Sequence, residues 1–255
     1  MGVHGSQFGL RPTGRRRLRP GASVNIYGMT QRLVIPSREE ADGDLAVAQP
    51  WWQFALRFNV AVAHRIPVAR LHGRESEGTM MRWGLVHRCA EGEIHISQRG
   101  LVRSDVLQTT PELREPWSNG QRGIVPVAGF YLWQRTPIGH LQPFYVRGVN
   151  RPVFGVAAVW KRVEADDGEL YESCALITVA ANPLISELDD SGQMPLILPR
   201  EDYQAWLAGG VAKAQSLMRT YPYTRLVCYP VAPYVNNLKY DEPVLIRPLR
   251  VRAHA

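Results

Sequence analysis

Apolar and polar positions change over quickly along this chain. After residue 23, β-branched and aromatic residues gather in short runs. These are SVNIYGM, RFNVAVAH, RIPVARL, MMRWGLV, GEIHIS and RGIVPVAGFYLW, then QPFYVRG, RPVFGVAAVW, ESCALITVAA, MPLILP and TRLVCYPV. Most are about 5–8 residues long and bounded by Gly, Pro or charged residues, the pattern of strands closed by turns. Helical spacing is rarer. It predicts helices over DLAVAQPWWQFALRF (44–58, broken at Pro50), over NPLISEL (182–188) and over PREDYQAWLAGG (199–210). In the last, Pro199 opens the helix, Asp202 lies in its first turn and Gly209–Gly210 close it. The whole pattern predicts an α+β fold: one β-rich domain over 24–255, with curved sheets or a barrel-like core and a few peripheral helices. Residues 1–23, rich in Gly, Pro and Arg with no apolar period, are expected to form a flexible arm.

Composition narrows the class without changing that picture. A chain of 255 residues with 45% hydrophobic and 21% charged positions is ordinary for a globular protein with a sizeable core. Cys89, Cys174 and Cys228 are far apart and form no CxxC pair, which excludes a disulfide framework and suits a reducing cytoplasm. No apolar run approaches the ~18–20 residues of a membrane span. The basic N-terminus is not followed by an apolar core, so no secretory signal is expected and the predicted location is cytoplasmic.

Charge is distributed unevenly. The net charge of +7 resides in residues 1–38, which hold seven arginines and no acid; the remainder balances 23 basic against 23 acidic groups. A basic segment of this kind binds phosphate by counterion release without sequence preference, or serves only to solubilise the chain. Arginine outnumbers lysine 27 to 3, which suits forked phosphate contacts.

Several blocks then fall into one order: RFNVAVAHRIPVARL (57–71), MRWGLV (81–86), ISQRGLV (96–102), GIVPVAGFYLW (123–133) and RPVFGVAAVW (151–160). They continue with LITVAAN (176–182), MPLILPREDYQAWL (194–207) and VAPYVNNLKYDEP (231–243). In register, these blocks resemble the SOS-response-associated peptidase (SRAP) domain family over roughly residues 25–245. The resemblance implies a fold that binds single-stranded DNA and cross-links covalently to abasic sites. The implied chemistry uses an N-terminal cysteine, whose thiol and amine close a thiazolidine on the sugar aldehyde. An Asn holds that sugar, and a Glu and a His move protons.

The positions that would carry this chemistry are replaced. The family's opening cysteine aligns with Tyr27, a phenol whose amine is locked in a peptide bond, and only Gly28 of that motif is kept. In ISQRGLV the Asn position is Ser97 and the motif's Glu is Leu101, while Arg99 is kept. In GFYLW the catalytic Glu is Leu132. Before Met194–Pro195, SELDDSGQ contains no His; Asp189 or Ser191 takes that place and Gln193 takes the place of an arginine. Nucleophile, amine, acid and His are thus missing together, and the resemblance implies a pseudoenzyme.

For binding, it implies that Trp83 and Trp133 stack on bases and that Arg82 and Arg99 meet phosphates, with Arg15, Arg16 and Arg17 as a tether. Met29 and Gln193 stand where the family has phosphate-contacting arginines. The plain alternative is that Trp83, Tyr131 and Trp133 pack the core and Arg99 makes a structural ion pair. Expected partners are single-stranded or junction DNA. The other expectations are a protein docked in the former groove over Leu101, Val102 and Leu132, or a relocated nucleophile at Cys89. His87, Cys89 and His95 fit no common zinc pattern. Neither a metal nor a cofactor is expected.

Overall fold

The computed structural model describes residues 31–88, 94–97 and 99–249. The first strands are β1 (Arg32–Ile35), β2 (Gln49–Pro50), β3 (Arg57–Ala61), β4 (Arg65–His72) and β5 (Glu75–Trp83). Next come β6 (Val86–Arg88), β7 (Ile94–Ile96), β8 (Leu101–Arg103), β9 (Arg122–Val127), β10 (Gly129–Arg135) and β11 (Leu141–Gly148). The last are β12 (Phe154–Glu164), β13 (Leu170–Ala180), β14 (Gln193–Pro195), β15 (Ile197–Leu198) and β16 (Leu226–Pro230). Among the described residues, five short α-helices accompany them: α1 (Arg38–Leu45), α2 (Pro111–Ser118), α3 (Pro183–Ser186), α4 (Tyr203–Ala208) and α5 (Val211–Ser216).

Strands β13, β12, β9, β4 and β5 pair in that order, and β5 returns to β13 in parallel through Ser173 with Arg82 and Cys174 with Trp83. The return closes a five-stranded barrel and removes its edges. Beside it lies a second sheet in the order β16-β11-β10-β1-β3. The chain changes sheets at Ala128, between β9 and β10. Gly129 follows because a Cβ there would lie 2.4 Å from the Tyr145 ring.

Alternation along β10 serves two cores. Phe130 and Leu132 enter the main apolar core, whereas Tyr131, with Trp133 packed at its margin, joins Val34, Phe58, Tyr145, Val235 and Leu245 on the other face. That second face is covered by residues 231–246, which Asn59 and Asp241 fasten to β3. Asn59 Nδ2 donates to the carbonyls of Val235, Asn237 and Tyr240 at 3.0–3.2 Å, and Asp241 accepts from the Phe58 and Asn59 N–H groups. The α+β, barrel-containing fold expected from the sequence is observed.

The helix expected over 44–58 is not. Helix α1 lies earlier, opened by a reciprocal capping box between Ser37 and Glu40 and ended at Ala46 in the left-handed conformation (φ 49°). The apolar residues that follow are held by tertiary contacts. Trp52 is fully buried, donates to Asp42 at 2.8 Å and lies so close to Gly78 that a Cβ there would be 2.4 Å from its ring. The NPLISEL helix is α3, capped by Asn182, and the third expected helix is α4 with its preceding 3₁₀ turn. Helices α2 and α5 have no counterpart in the sequence reading. MPLILP divides into β14 and β15, which pair with different strands. Tyr27, Met29, Cys89, the arm 1–23 and its Arg15, Arg16 and Arg17 lie outside the described residues.

Candidate nucleic-acid interface

Two of the motif segments meet at one end of β13. Strands β8 and β14 flank it there, β8 through Thr178 opposite Arg103 and β14 through Thr178 opposite Pro195. The Thr178 hydroxyl donates to Gln193 Oε1 at 2.9 Å, so Gln193 is engaged as an acceptor. Ser191 N–H donates to Asp189 Oδ1 at 2.8 Å, and Ser191 Oγ accepts from the Gln193 N–H at 3.3 Å. Asp189 and Ser191 therefore hold their own turn. Gln134, two residues past Leu132, donates to the Glu187 carbonyl at 2.9 Å and ties β10 to this segment.

Leu132 itself is 0% exposed. Its cross-strand partner is Phe144 on β11. An aliphatic side chain sealed in an apolar core neither carries nor relays a proton, and nothing polar on it reaches solvent. Ser97, at the family's Asn position, is half-buried; its N–H donates to the Leu85 carbonyl at 2.8 Å and its Oγ accepts from the Arg99 N–H at 3.1 Å. Arg99 is exposed.

The structure corrects the expectation for Trp83. Its ring is fully buried at the barrel closure and its Nε1 donates to the Gly100 carbonyl at 2.7 Å. A ring with no exposed face offers no stacking platform; Trp83 fills the core instead. Arg82, next to it, is half-buried and donates to the Ala63 carbonyl at 2.7 Å. Trp133 is half-buried, with Nε1 donating to Asn236 Oδ1 at 2.7 Å. The apolar replacements expected to form a sticky docking groove are likewise taken inward: Leu132 is sealed, and Leu101 and Val102 are half-buried against the main core.

Neither cysteine among the described residues is an activated thiol. Cys174 is fully buried, and burial pushes its thiol far up. Cys228 is half-buried, and burial, with Glu187 adding to it, pushes its thiol up as well. Both shifts oppose the thiolate. Among the described residues no group of three or more His, Cys, Asp or Glu side chains is placed to hold a metal ion, and no helix is long and apolar enough to cross a membrane.

Sequence reading did not single out Arg32, which β1 sets opposite Ala61 at the end of β3, or His64 in the turn that follows, where the Ala63 carbonyl accepts from Arg82. The available signal was the polar pair His64–Arg65 between two apolar runs.

Comparison with known proteins agrees with this architecture. Abasic site processing protein YoqW of Bacillus subtilis is 26% identical over 200 residues, covering 77% of this chain and 88% of that protein. Abasic site processing protein HMCES of Mus musculus is 27% identical over 199 residues, 66% of this chain and 56% of that protein. A solved protein structure from Bordetella bronchiseptica superposes with a TM-score of 0.68 at 22% identity, over 80% of this chain and all of the other. One from Bacteroides thetaiotaomicron gives 0.66 at 24% identity, over 75% of this chain and 85% of its own. Residues 30–238 match the family described as SOS response associated peptidase (SRAP), and the chain belongs to that family.

Proposed function

We propose that this protein binds single-stranded or junction DNA in a DNA-damage setting without forming a covalent bond to the lesion. Family membership and relatives named for abasic site processing support the DNA part of this reading. The observation that carries the non-covalent part is Leu132: where the family resemblance calls for a proton-carrying carboxylate, the side chain is aliphatic and fully buried. Ser97 in place of Asn, and Asp189 or Ser191 in place of His, point the same way. On the binding side, exposed Arg99 and the half-exposed edge of Trp133 remain from the groove, and Arg15, Arg16 and Arg17 add a non-specific electrostatic tether. A reading in which the groove docks a protein partner is less well supported, because Leu101, Val102 and Leu132 form no exposed apolar face.

The test sets the full chain against matched oligonucleotides with and without an abasic site. The expected result is salt-sensitive capture of both single strands, weakened by removing residues 1–23, with no heat-stable conjugate on denaturing gels. A conjugate mapped to Tyr27 or Cys89 overturns the non-covalent reading; no capture of either strand overturns the DNA reading.

A further inference from the structure

Inward-facing arginines in this protein are generally matched to acceptors. Arg70 bonds Glu77 at 2.6 Å and Glu172 at 2.7 Å, Arg151 bonds Asp44 at 2.8 Å, and Arg57 bonds Asp241 at 2.8 Å. Arg122, without an acid, donates to the Trp206 carbonyl at 2.7 Å and to that of Gly209 at the end of α4, which leaves only its Nη1 without a partner among the described residues. The turn joining β3 to β4 departs from this rule.

Arg32, His64 and Arg82 are each placed at that turn by the backbone. Arg32 stands opposite Ala61 in the β1–β3 register. His64 lies in the turn itself. Arg82, opposite Arg65 on β5, donates to the Ala63 carbonyl at 2.7 Å. The turn is held by the Ala63 N–H on the Trp83 carbonyl at 2.7 Å and the Trp83 N–H on the His64 carbonyl at 2.9 Å, with Ala63 at a left-handed φ of 73°.

The charge there is not balanced. Arg32 Nε is buried with no hydrogen-bond partner among the described residues, and Nη1 reaches only the Gln31 carbonyl at 3.4 Å. His64 Nδ1 accepts the Ala61 N–H at 3.3 Å, which leaves its proton on Nε2 as a donor. The carboxylate that bears on His64, Asp241, is already committed to Arg57 and to the N–H groups of Phe58 and Asn59. Burial, then the charges of Arg57, Arg32 and Arg82, push the His64 imidazole down. Burial alone pushes Arg32 down, and burial followed by the Arg65 charge does the same for Arg82. Partly desolvated cations without a counter-ion are unfavourable, and an anion with several acceptor oxygens supplies what they lack.

We propose that Arg32, His64 and Arg82 form a phosphate-binding site at the β3–β4 turn. The chemistry recognised is the tetrahedral phosphate group. That DNA supplies it, as one backbone phosphate of a bound strand, rests on the proposed function; a free phosphate is the other source.

The experiment has two arms on the full chain. The first follows the His64 side-chain NMR signals, assigned with His64→Gln, during titration with inorganic phosphate against chloride at constant ionic strength. A saturable shift, lost in Arg32→Met, is expected; no saturable shift overturns the site, and this wild-type measurement decides even if a variant fails to fold. The second measures single-strand affinity against salt for wild type, Arg32→Met and Arg82→Met. Each variant is expected to reduce the slope of log K against log salt by about 0.7, the loss of one single-strand phosphate contact. Unchanged slopes with the His64 response intact support the site and assign it to free phosphate. If the wild type captures no DNA yet shows the His64 response, the functional reading fails and the site stands.

Discussion

The indole N–H of Trp83 donates to the Gly100 carbonyl at 2.7 Å, joining residues 17 apart where the barrel closes. The fit is tight on both sides, since a Cβ on Gly100 would lie 2.3 Å from that nitrogen and 2.7 Å from Val62. Trp83→Ala is therefore expected to cost about 3–5 kcal/mol of stability, and Gly100→Ala to destabilise by overpacking. Because the two residues touch, the double variant should cost less than the sum of the single ones. Urea midpoints of all four proteins check this. Trp83→Ala with native stability and a selective loss of DNA binding would mean that the ring acts on the ligand after all.

Leu132→Glu tests whether restoring the family's acid is enough. The carboxyl would enter a site with 0% exposure, where desolvation raises its pKa. A group whose folded pKa is raised destabilises the fold when ionised in the unfolded chain. The penalty should thus be smaller below about pH 4, near the unfolded Glu value, and grow by about 1.4 kcal/mol per pH unit above it until the folded pKa is reached. Leu132→Gln, which does not titrate, should show a penalty independent of this window. Denaturation curves from pH 4 to pH 8 distinguish them. On the proposed non-covalent reading, no abasic cross-link is expected from Leu132→Glu.

Asp241 makes the opposite pH prediction. Burial alone would push its carboxyl up, but the Arg57 bond and the Phe58 and Asn59 N–H groups outweigh it and hold the carboxyl below the usual range. Its folded pKa is depressed, so its stabilisation is full above the unfolded value near pH 4 and is lost as pH falls through the folded value. Asp241→Asn should lower stability at pH 7 and flatten its decline between pH 4 and pH 2. An equal acid-induced decline in both proteins would exclude this carboxylate as a pH-dependent tie between β3 and the C-terminal segment.

Strands were the most legible feature of the chain, because most pair over the stretches where apolar runs are bounded by turn residues. RIPVARL lies within β4, and FGVAAVW begins β12. The expected helix over 44–58 misled because Trp52 and Phe54 pack edge-on, with ring centroids 5.6 Å apart, in a segment without regular structure. Helical spacing of apolar residues records only that they are buried, and an irregular chain lying on a sheet buries them equally well. At the site, the identities of Leu132, Ser97, Asp189 and Ser191 were legible one by one. The placement of Arg32, His64 and Arg82 at one turn was not, since it depends on β1 pairing with β3 and on the register of β4 with β5.

Residue identity by itself determined what position 132 can do, because a leucine has no proton to transfer in any surroundings. It also determined the two-residue rhythm that sends Tyr131 and Leu132 to opposite faces of β10. Only the tertiary structure decided what those faces meet. Alternation separates two sides of a strand without saying which is covered, and here the barrel core covers one while residues 231–246 cover the other. For the same reason the chain alone left Trp83 undecided between platform and packing. The parallel pairing of β5 with β13 buried it.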